Sequence, residues 1–240
     1  MSLFWQEDDD KYEFQLPDTI VDLSFKIECK QIALDHAHDL SVALASALPW
    51  LMDEEDTGVH LIHGASSGNG WVRPEEKGED DFIYLSRRRA RMQLRVPKER
   101  IADAQKLKGQ TLDVGGNRVI VGESQIKPLT TLGTLFSRYI QVEPDETEDQ
   151  FLERIVNEMR SHDIAVKKVL CGIDHEFRLP EGKVKTISVM VADLDPKDAF
   201  TLQRKGIGRG RKMGFGLFIP HKGIKPVGDM SEKTHFSGTE

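Results

Sequence analysis

Thr19-Ile-Val-Asp-Leu-Ser-Phe-Lys-Ile-Glu-Cys29 alternates apolar and polar side chains. A period of two places one set on a single face, so the stretch reads as a half-buried strand. Just downstream the period changes. In His36-Ala-His-Asp-Leu-Ser-Val-Ala-Leu-Ala-Ser-Ala-Leu48, residues Ala37, Leu40, Leu44 and Leu48 recur at helical spacing. Asp35 stands where an N-cap is wanted, and Pro49 ends the segment. Thr57–Ile62 reads as a short strand entering the loop Gly64-Ala-Ser-Ser-Gly-Asn-Gly-Trp71. Asp81–Val96 reads as one long strand with Ile83, Leu85, Met92, Leu94 and Val96 turned inward. Pro97–Leu107 reads as a short amphipathic helix, and Gly115-Gly-Asn117 as the turn of a hairpin joining Thr111–Val114 to Arg118–Val121. The order is strand, helix, strand, strand, helix, strand.

The second half repeats it. Thr134–Val142 is a strand. Glu146–Ser161 is a helix with Phe151, Leu152, Ile155, Val156 and Met159 on one face. Val166–Gly172 and Val184–Leu194 are strands. Asp193 or Asp195 caps a helix from Pro196 to Lys205, and Phe215–Ile219 is a last strand. Two βαββαβ units in tandem make an α+β chain of two ferredoxin-like (RRM-like) folds. With the boundary inside Gly122–Gly133, the expected parts are an N-terminal domain 1–128, a C-terminal domain 129–228 and a flexible tail 229–240.

At 240 residues the chain is long enough for two such domains. No stretch approaches the roughly 18 apolar residues that span a bilayer. The N-terminus, Met-Ser-Leu-Phe-Trp-Gln-Glu-Asp-Asp-Asp, is acidic where a signal peptide is basic and then apolar, so a cytoplasmic protein is expected. Cys29 and Cys171 make neither a disulfide framework nor a zinc knuckle.

The net charge of −7 is unevenly spread. Residues 1–57 hold fourteen acids against three bases. Ser86–Arg100 holds seven bases and one acid, and Ala199–Gly228 seven bases and no acid. Charges are screened within about 8–10 Å, so a basic cleft on an acidic protein can hold a polyanion. On a single strand, Arg87, Arg89 and Arg91 would share one face as a row of guanidinium groups.

The second basic run contains Gly206-Ile-Gly-Arg-Gly-Arg-Lys-Met-Gly-Phe-Gly216. Glycine permits positive φ and lets backbone N–H groups approach a phosphate. Arg204, Lys205, Arg209, Arg211 and Lys212 supply charge in or just before the run, and Gly206, Gly208, Gly214 and Gly216 set its spacing. The run follows a helix and precedes a strand. Walker and Rossmann loops leave a strand and enter a helix, so a nucleotide cofactor is not expected.

Gly-hydrophobic-Gly, five residues, then Gly-hydrophobic-Gly near the C-terminus of a double ferredoxin fold resembles the CRISPR-associated endoribonucleases that process precursor CRISPR RNA. Leu34-Asp-His-Ala37, Leu48-Pro-Trp-Leu51, Gly58-Val-His-Leu-Ile-His63, Gly68-Asn-Gly-Trp71 and Gly216-Leu-Phe-Ile-Pro-His-Lys222 are similar to the myxo-type branch, in the same order. The resemblance implies metal-independent cleavage within a repeat RNA, leaving 2′,3′-cyclic phosphate and 5′-hydroxyl ends, with no cofactor. It also implies that the product stays bound and joins other Cas subunits in an interference complex. It gives His221 and Lys222 an RNA-contact role beside the glycine run.

Such chemistry needs one group to take a proton from a 2′-hydroxyl, another to protonate the leaving 5′-oxygen, and a cation for the phosphorane. Histidine serves both proton transfers near neutral pH. His60 is the first candidate, because archaeal members of the family place a histidine on a strand entering this loop. His36, at the start of the first helix, is its rival, as other branches use that helix. His63 is the third. On a strand His60 and His63 face opposite sides, so both reach one site only if the strand ends between them. The cation is Arg73, Lys77 or a residue of Arg87–Arg91. None of Tyr12, Tyr84 and Tyr139 falls on the first helix, which departs from the family's usual triad. Two other readings stay open: a non-catalytic RNA-binding subunit of a CRISPR complex, and an unrelated double ferredoxin-like interaction module.

Overall fold

The computed structural model describes residues 17–64 and 82–221. The loop Gly68–Trp71, with Arg73 and Lys77, lies outside the described residues, as do Lys222 and the tail 229–240.

β1 (Ile20–Glu28) forms where the alternating stretch predicts it and lies at the centre of a five-stranded sheet. It pairs antiparallel with β5 (Arg91–Pro97) on one side and β7 (Asn117–Pro128) on the other. Val21, Leu23, Phe25 and Ile27 fill the core beneath α1 (Ala37–Ala47). The strand is not half-buried as expected: Asp22 and Ser24, on its polar face, are also enclosed. That face is covered by the second half of the chain. β3 (Gly58–His60) and β6 (Thr111–Val114) are the edge strands, giving the order β3-β5-β1-β7-β6.

The expected strand Asp81–Val96 breaks in two. β4 (Phe82–Tyr84) leaves the main sheet and pairs with a three-residue strand, β2 (Gln31–Ala33). Between β4 and β5 the chain turns, the Ser86 carbonyl accepting from the N–H groups of Arg89 (2.9 Å) and Ala90 (2.8 Å). The cause is burial. β5 is covered on both faces at Met92, Leu94, Arg95 and Val96, and Arg87, Arg88 and Arg89 could not be carried into that layer without losing their hydration. The turn keeps all three exposed.

Two smaller expectations also shift. His36, not Asp35, occupies the cap position of α1, while an Asp35 carboxylate oxygen accepts from the Arg178 N–H (3.3 Å). Pro49 begins α2 (Trp50–Asp53) rather than only ending α1. The segment after β5 is a 3-10 turn, α3 (Ile101–Ala104) and a second 3-10 turn, burying Ala104 and Leu107.

The second sheet holds β8 (Leu135–Gln141), β9 (Lys168–Leu179), β10 (Gly182–Ala192) and β11 (Ile219–Pro220) in the order β11-β8-β10-β9. Numbered within the unit this is 4-1-3-2. Ignoring edge strand β6, β7-β1-β5-β3 gives the same order in the first sheet. Both halves therefore have the ferredoxin-like arrangement. α4 (Glu148–Ser161) begins at a capping box in which Gln150 N–H donates to Thr147 Oγ1 (3.3 Å) and Thr147 N–H to Gln150 Oε1 (2.9 Å). Phe151, Ile155 and Met159 bury one side of it, at the helical spacing expected. α5 (Pro196–Lys205) ends at Gly206. β9 runs past its expected end, so His175 lies in a strand and not in a hairpin loop. The last strand shrinks to two residues because Phe215, Leu217 and Phe218 are spent as core plugs in an irregular segment. No helix among the described residues is long and apolar enough to cross a membrane.

The two sheets share packing. Ala37 and Leu61 from the first half cluster with Tyr139, Phe177 and Phe215 from the second. Arg95, fully enclosed, donates to the carbonyls of Gln203 (2.7 Å) and Phe218 (3.0 Å) while its other nitrogens hold Asp22 at 2.8 and 2.9 Å.

Candidate active site and RNA interface

β3 ends at His60, and the chain leaves the sheet before His63. The condition set by strand geometry is thus met: both imidazoles line one cavity of about 220 Å³. Its other walls come from both sheets. β5 brings Arg91 and Gln93, the preceding turn Arg89, β8 Arg138 and Tyr139, and the glycine-rich segment Gly214 and Leu217. None of the described residues that line it is acidic.

His60 is anchored. Its Nε2 lies 3.3 Å from Asp22 Oδ1. Burial alone would raise the Asp22 carboxyl's pKa. The charge of Arg95 and then that of His60 outweigh it and hold the group far below the usual carboxylate range. An ionised carboxylate only accepts, so Nε2–H donates to it and Nδ1 is left to exchange a proton. The His63 ring centroid lies 6.3 Å from that of Tyr139, which is itself 5.2 Å from His175.

His36 is built differently. It is 2% exposed. Nδ1 lies 2.8 Å from the Ala33 carbonyl and Nε2 accepts the Ile62 N–H at 3.0 Å. A ring donating at one nitrogen and accepting at the other is neutral and fixed in one tautomer. It ties the start of α1 to the segment leading to His63, and is not among the residues lining the cavity.

The expected row of guanidinium groups on one strand face does not form. Arg91 is on β5, Arg89 on the turn facing the histidine cavity, and Arg87 lies beside Glu28 at 3.2 Å on the turn's far side. Arg95, in phase with them by sequence, is interior.

The glycine run also differs from expectation. Gly206, Gly208, Gly210, Gly214 and Gly216 all have positive φ. Yet the N–H groups at the two ends of the segment, in residues 206–208 and 213–216, are bonded within the protein. Gly208 N–H donates to Glu158 (2.7 Å), Gly214 N–H to Arg211 O (3.3 Å) and Gly216 N–H to the Tyr139 carbonyl (2.7 Å), while Ile207 N–H donates to Gly216 O (3.1 Å). Glycine is needed for close approach: a Cβ on Gly216 would sit 2.0 Å from Ile207 O, and one on Gly214 2.6 Å from Leu61 Cγ. The segment thus seats its own chain against β8 and the His60–His63 stretch.

Its basic side chains are drawn into the same seam. Arg204 donates twice to Asp56 (2.9 and 2.7 Å), and Lys205 lies 3.7 Å from the same carboxylate. Arg211 donates to the carbonyls of Lys205 and Arg204, both at 2.7 Å. Lys212 reaches the Glu54 and Thr57 carbonyls. Burial, then the charge of Arg95, lowers Arg211 to about 10, and burial, then Arg211, lowers Lys212 to about 8. Arg209 pairs with Glu143 on the surface. His221 N–H donates to Thr134 O (3.1 Å), its ring near Phe136 and its Nδ1 enclosed with no hydrogen-bond partner among the described residues. These groups join elements of the chain to one another. Arg138, Tyr139 and Gln93 line the cavity and escaped sequence reading, because nothing in a strand's own pattern tells which face meets another sheet.

Fold and cavity together define a double ferredoxin-like protein with a basic, histidine-lined cavity where its two sheets meet. The family model described as Cas6 Crispr matches residues 21–223. The CRISPR-associated endonuclease Cas6 of Myxococcus xanthus (strain DK1622) is 28% identical over 201 residues, covering 83% of this chain and 81% of its own. A Cas6-related protein from Pyrococcus furiosus superposes with a TM-score of 0.57 at 13% identity, covering 83% of this chain and 97% of that one. A RAMP protein binding different RNA substrates also superposes at 0.57, with 12% identity over 83% and 98% of the two chains. The chain belongs to the Cas6 family.

Proposed function

We propose that the protein is an endoribonuclease that cuts CRISPR repeat RNA in precursor transcripts, without a metal ion, to release guide RNAs. The observation that carries this reading is the cavity in which His60 and His63 stand among Arg89, Arg91 and Arg138, in a chain of the Cas6 family. One imidazole takes the proton of the 2′-hydroxyl as its oxygen attacks the adjacent phosphorus. The other protonates the 5′-oxygen as its bond to phosphorus breaks. One proton enters the protein and one leaves, and the products are a 2′,3′-cyclic phosphate and a 5′-hydroxyl. Guanidinium groups balance the charge that grows on the phosphorane. Asp22 holds His60 in the tautomer with Nδ1 available. The Myxococcus xanthus relative, named an endonuclease, supports nuclease activity here.

The test is cleavage of a transcript of the host's CRISPR repeat. Cutting is expected to persist in excess EDTA and to stop when the nucleotide at the cut carries 2′-deoxyribose. A requirement for Mg²⁺, or cleavage of the deoxy substrate, would refute the mechanism. Binding without any cutting would leave a non-catalytic RNA-binding subunit.

A further inference from the structure

The turn carrying the arginines has a second side. Arg89 faces the histidine cavity, whereas Arg87, two residues and at most about 7 Å away along the backbone, lines a separate cavity of about 520 Å³. That size falls within the roughly 300–1,000 Å³ of small-ligand sites. The walls are the corner between β1 and β2, with Glu28, Lys30 and Gln31, and the tip of the β6–β7 hairpin, with Arg118. Three cations face one carboxylate. Glu28 and Arg87 are both more than half exposed, so water screens their 3.2 Å pair and an anion can replace it at little cost.

An exposed aromatic residue is paired with one of the cavity's lining residues. Tyr84 is 77% exposed, and it lies directly opposite Gln31 in the β2–β4 ladder. Opposed residues of an antiparallel pair share a face with Cβ atoms about 5 Å apart. Phe82, two residues earlier, is exposed on that face as well. Aromatic rings open to solvent beside cations are what an unpaired nucleotide uses: the base stacks and the phosphate meets the charge.

We propose that this cavity is a subsite for one unpaired nucleotide of the RNA strand as it leaves the histidine cavity. The base stacks on Tyr84, and Arg87 and Arg118 hold the phosphate. The subsite fixes the register of the strand and takes no part in bond breaking. The proposal rests on the reading of the histidine cavity as an RNA site.

The test uses the whole protein and a fluorescein-labelled transcript of the host's CRISPR repeat, followed by anisotropy and single-turnover cleavage. Tyr84→Ala is expected to weaken binding about 5- to 150-fold, the worth of one base–aromatic stack. The rate at saturating protein should stay unchanged, and Tyr84→Phe should restore affinity. Arg118→Ala should weaken binding and flatten its salt dependence. Both side chains are exposed, and unchanged melting temperatures would exclude misfolding. If the wild type binds and cuts while Tyr84→Ala and Arg118→Ala match it in affinity, the subsite is wrong and the nuclease reading survives. If Tyr84→Ala lowers the saturating rate, the residue belongs to the chemistry and the subsite is equally wrong. If the wild type binds no RNA, the underlying reading fails first.

Discussion

Histidines of one chain are separated by what their two nitrogens already do. His36 has both engaged in the interior, so removing its ring strands the buried Ile62 N–H. His36→Ala should therefore cost about 1–3 kcal/mol of stability, read as a lower melting temperature. Any residual loss of cleavage should recover on cooling. His60→Ala and His63→Ala should instead melt like the wild type and slow single-turnover cleavage on the order of 10²- to 10⁴-fold. A His36→Ala protein that melts normally and does not cut would reverse these roles. Asp22 makes a second prediction. Its folded pKa is depressed, so its contribution to stability is complete above the unfolded value near 3.8, begins to fall below that value and is lost as pH drops toward the much lower folded one. Urea denaturation between pH 6 and 3 should show stability falling below about pH 4, with a shallower fall in Asp22→Asn. An equal slope in both proteins would remove Asp22 from the pH response. Sequence alone ranked His60 first, His36 as its rival and His63 third, without a contact to separate them. Their difference lies in contacts made by Ile62, Ala33 and Asp22, two of them far away in the chain, which no local pattern encodes.

Elements were more legible than residues, for a physical reason. Period-two and period-3.6 patterns report burial directly, so β1, α1, α4 and α5 stand within two residues of their expected ends. The pattern misled where a strand is covered on both faces, since a polar residue that finds an ion partner looks like one facing water. Asp22 and Arg95 are the example. It misled again at Arg87–Arg89, where alternation continues across a turn. The glycine-rich segment was recognised by composition, but the fit its glycines serve was not legible: Gly206, Gly214 and Gly216 sit where a side chain would strike a neighbouring part of the chain. Gly216→Ala, which places a methyl 2.0 Å from Ile207 O at φ 68°, should lower stability by at least about 2 kcal/mol. Gly116→Ala, at φ 78° with open space around it, should cost only the backbone penalty, about 1–2 kcal/mol. Chemical denaturation of the pair separates the two effects. Equal losses would mean that close approach is not what Gly216 provides.

At the scale of the molecule, the proposed site exists only where two sheets meet. Neither the strand that carries His60 nor the one that carries Arg138 forms the cavity alone. An acidic chain can present a basic cavity because Arg89, Arg91 and Arg138 line this junction and none of the described residues that line it is acidic. The same junction makes Arg95 costly to lose. It is a buried cation with four partner atoms drawn from both halves, and breaking such a pair costs about 3–5 kcal/mol.

That shared seam has a consequence for the continuity of the chain itself. The link between β7 and β8 exposes Thr131 and Leu132, whereas Thr130 on its N-terminal side is bonded to Gln203. A protein divided there, with residues 1–131 and 132–240 expressed as separate polypeptides, should reassemble without a covalent tether. The two pieces should co-purify through a tag on either one and recover cleavage. Arg95→Met should abolish their capture, since reassociation then has to proceed without the guanidinium that both pieces clasp. Pieces that elute apart would mean that the peptide linkage, and not the seam, holds the halves together.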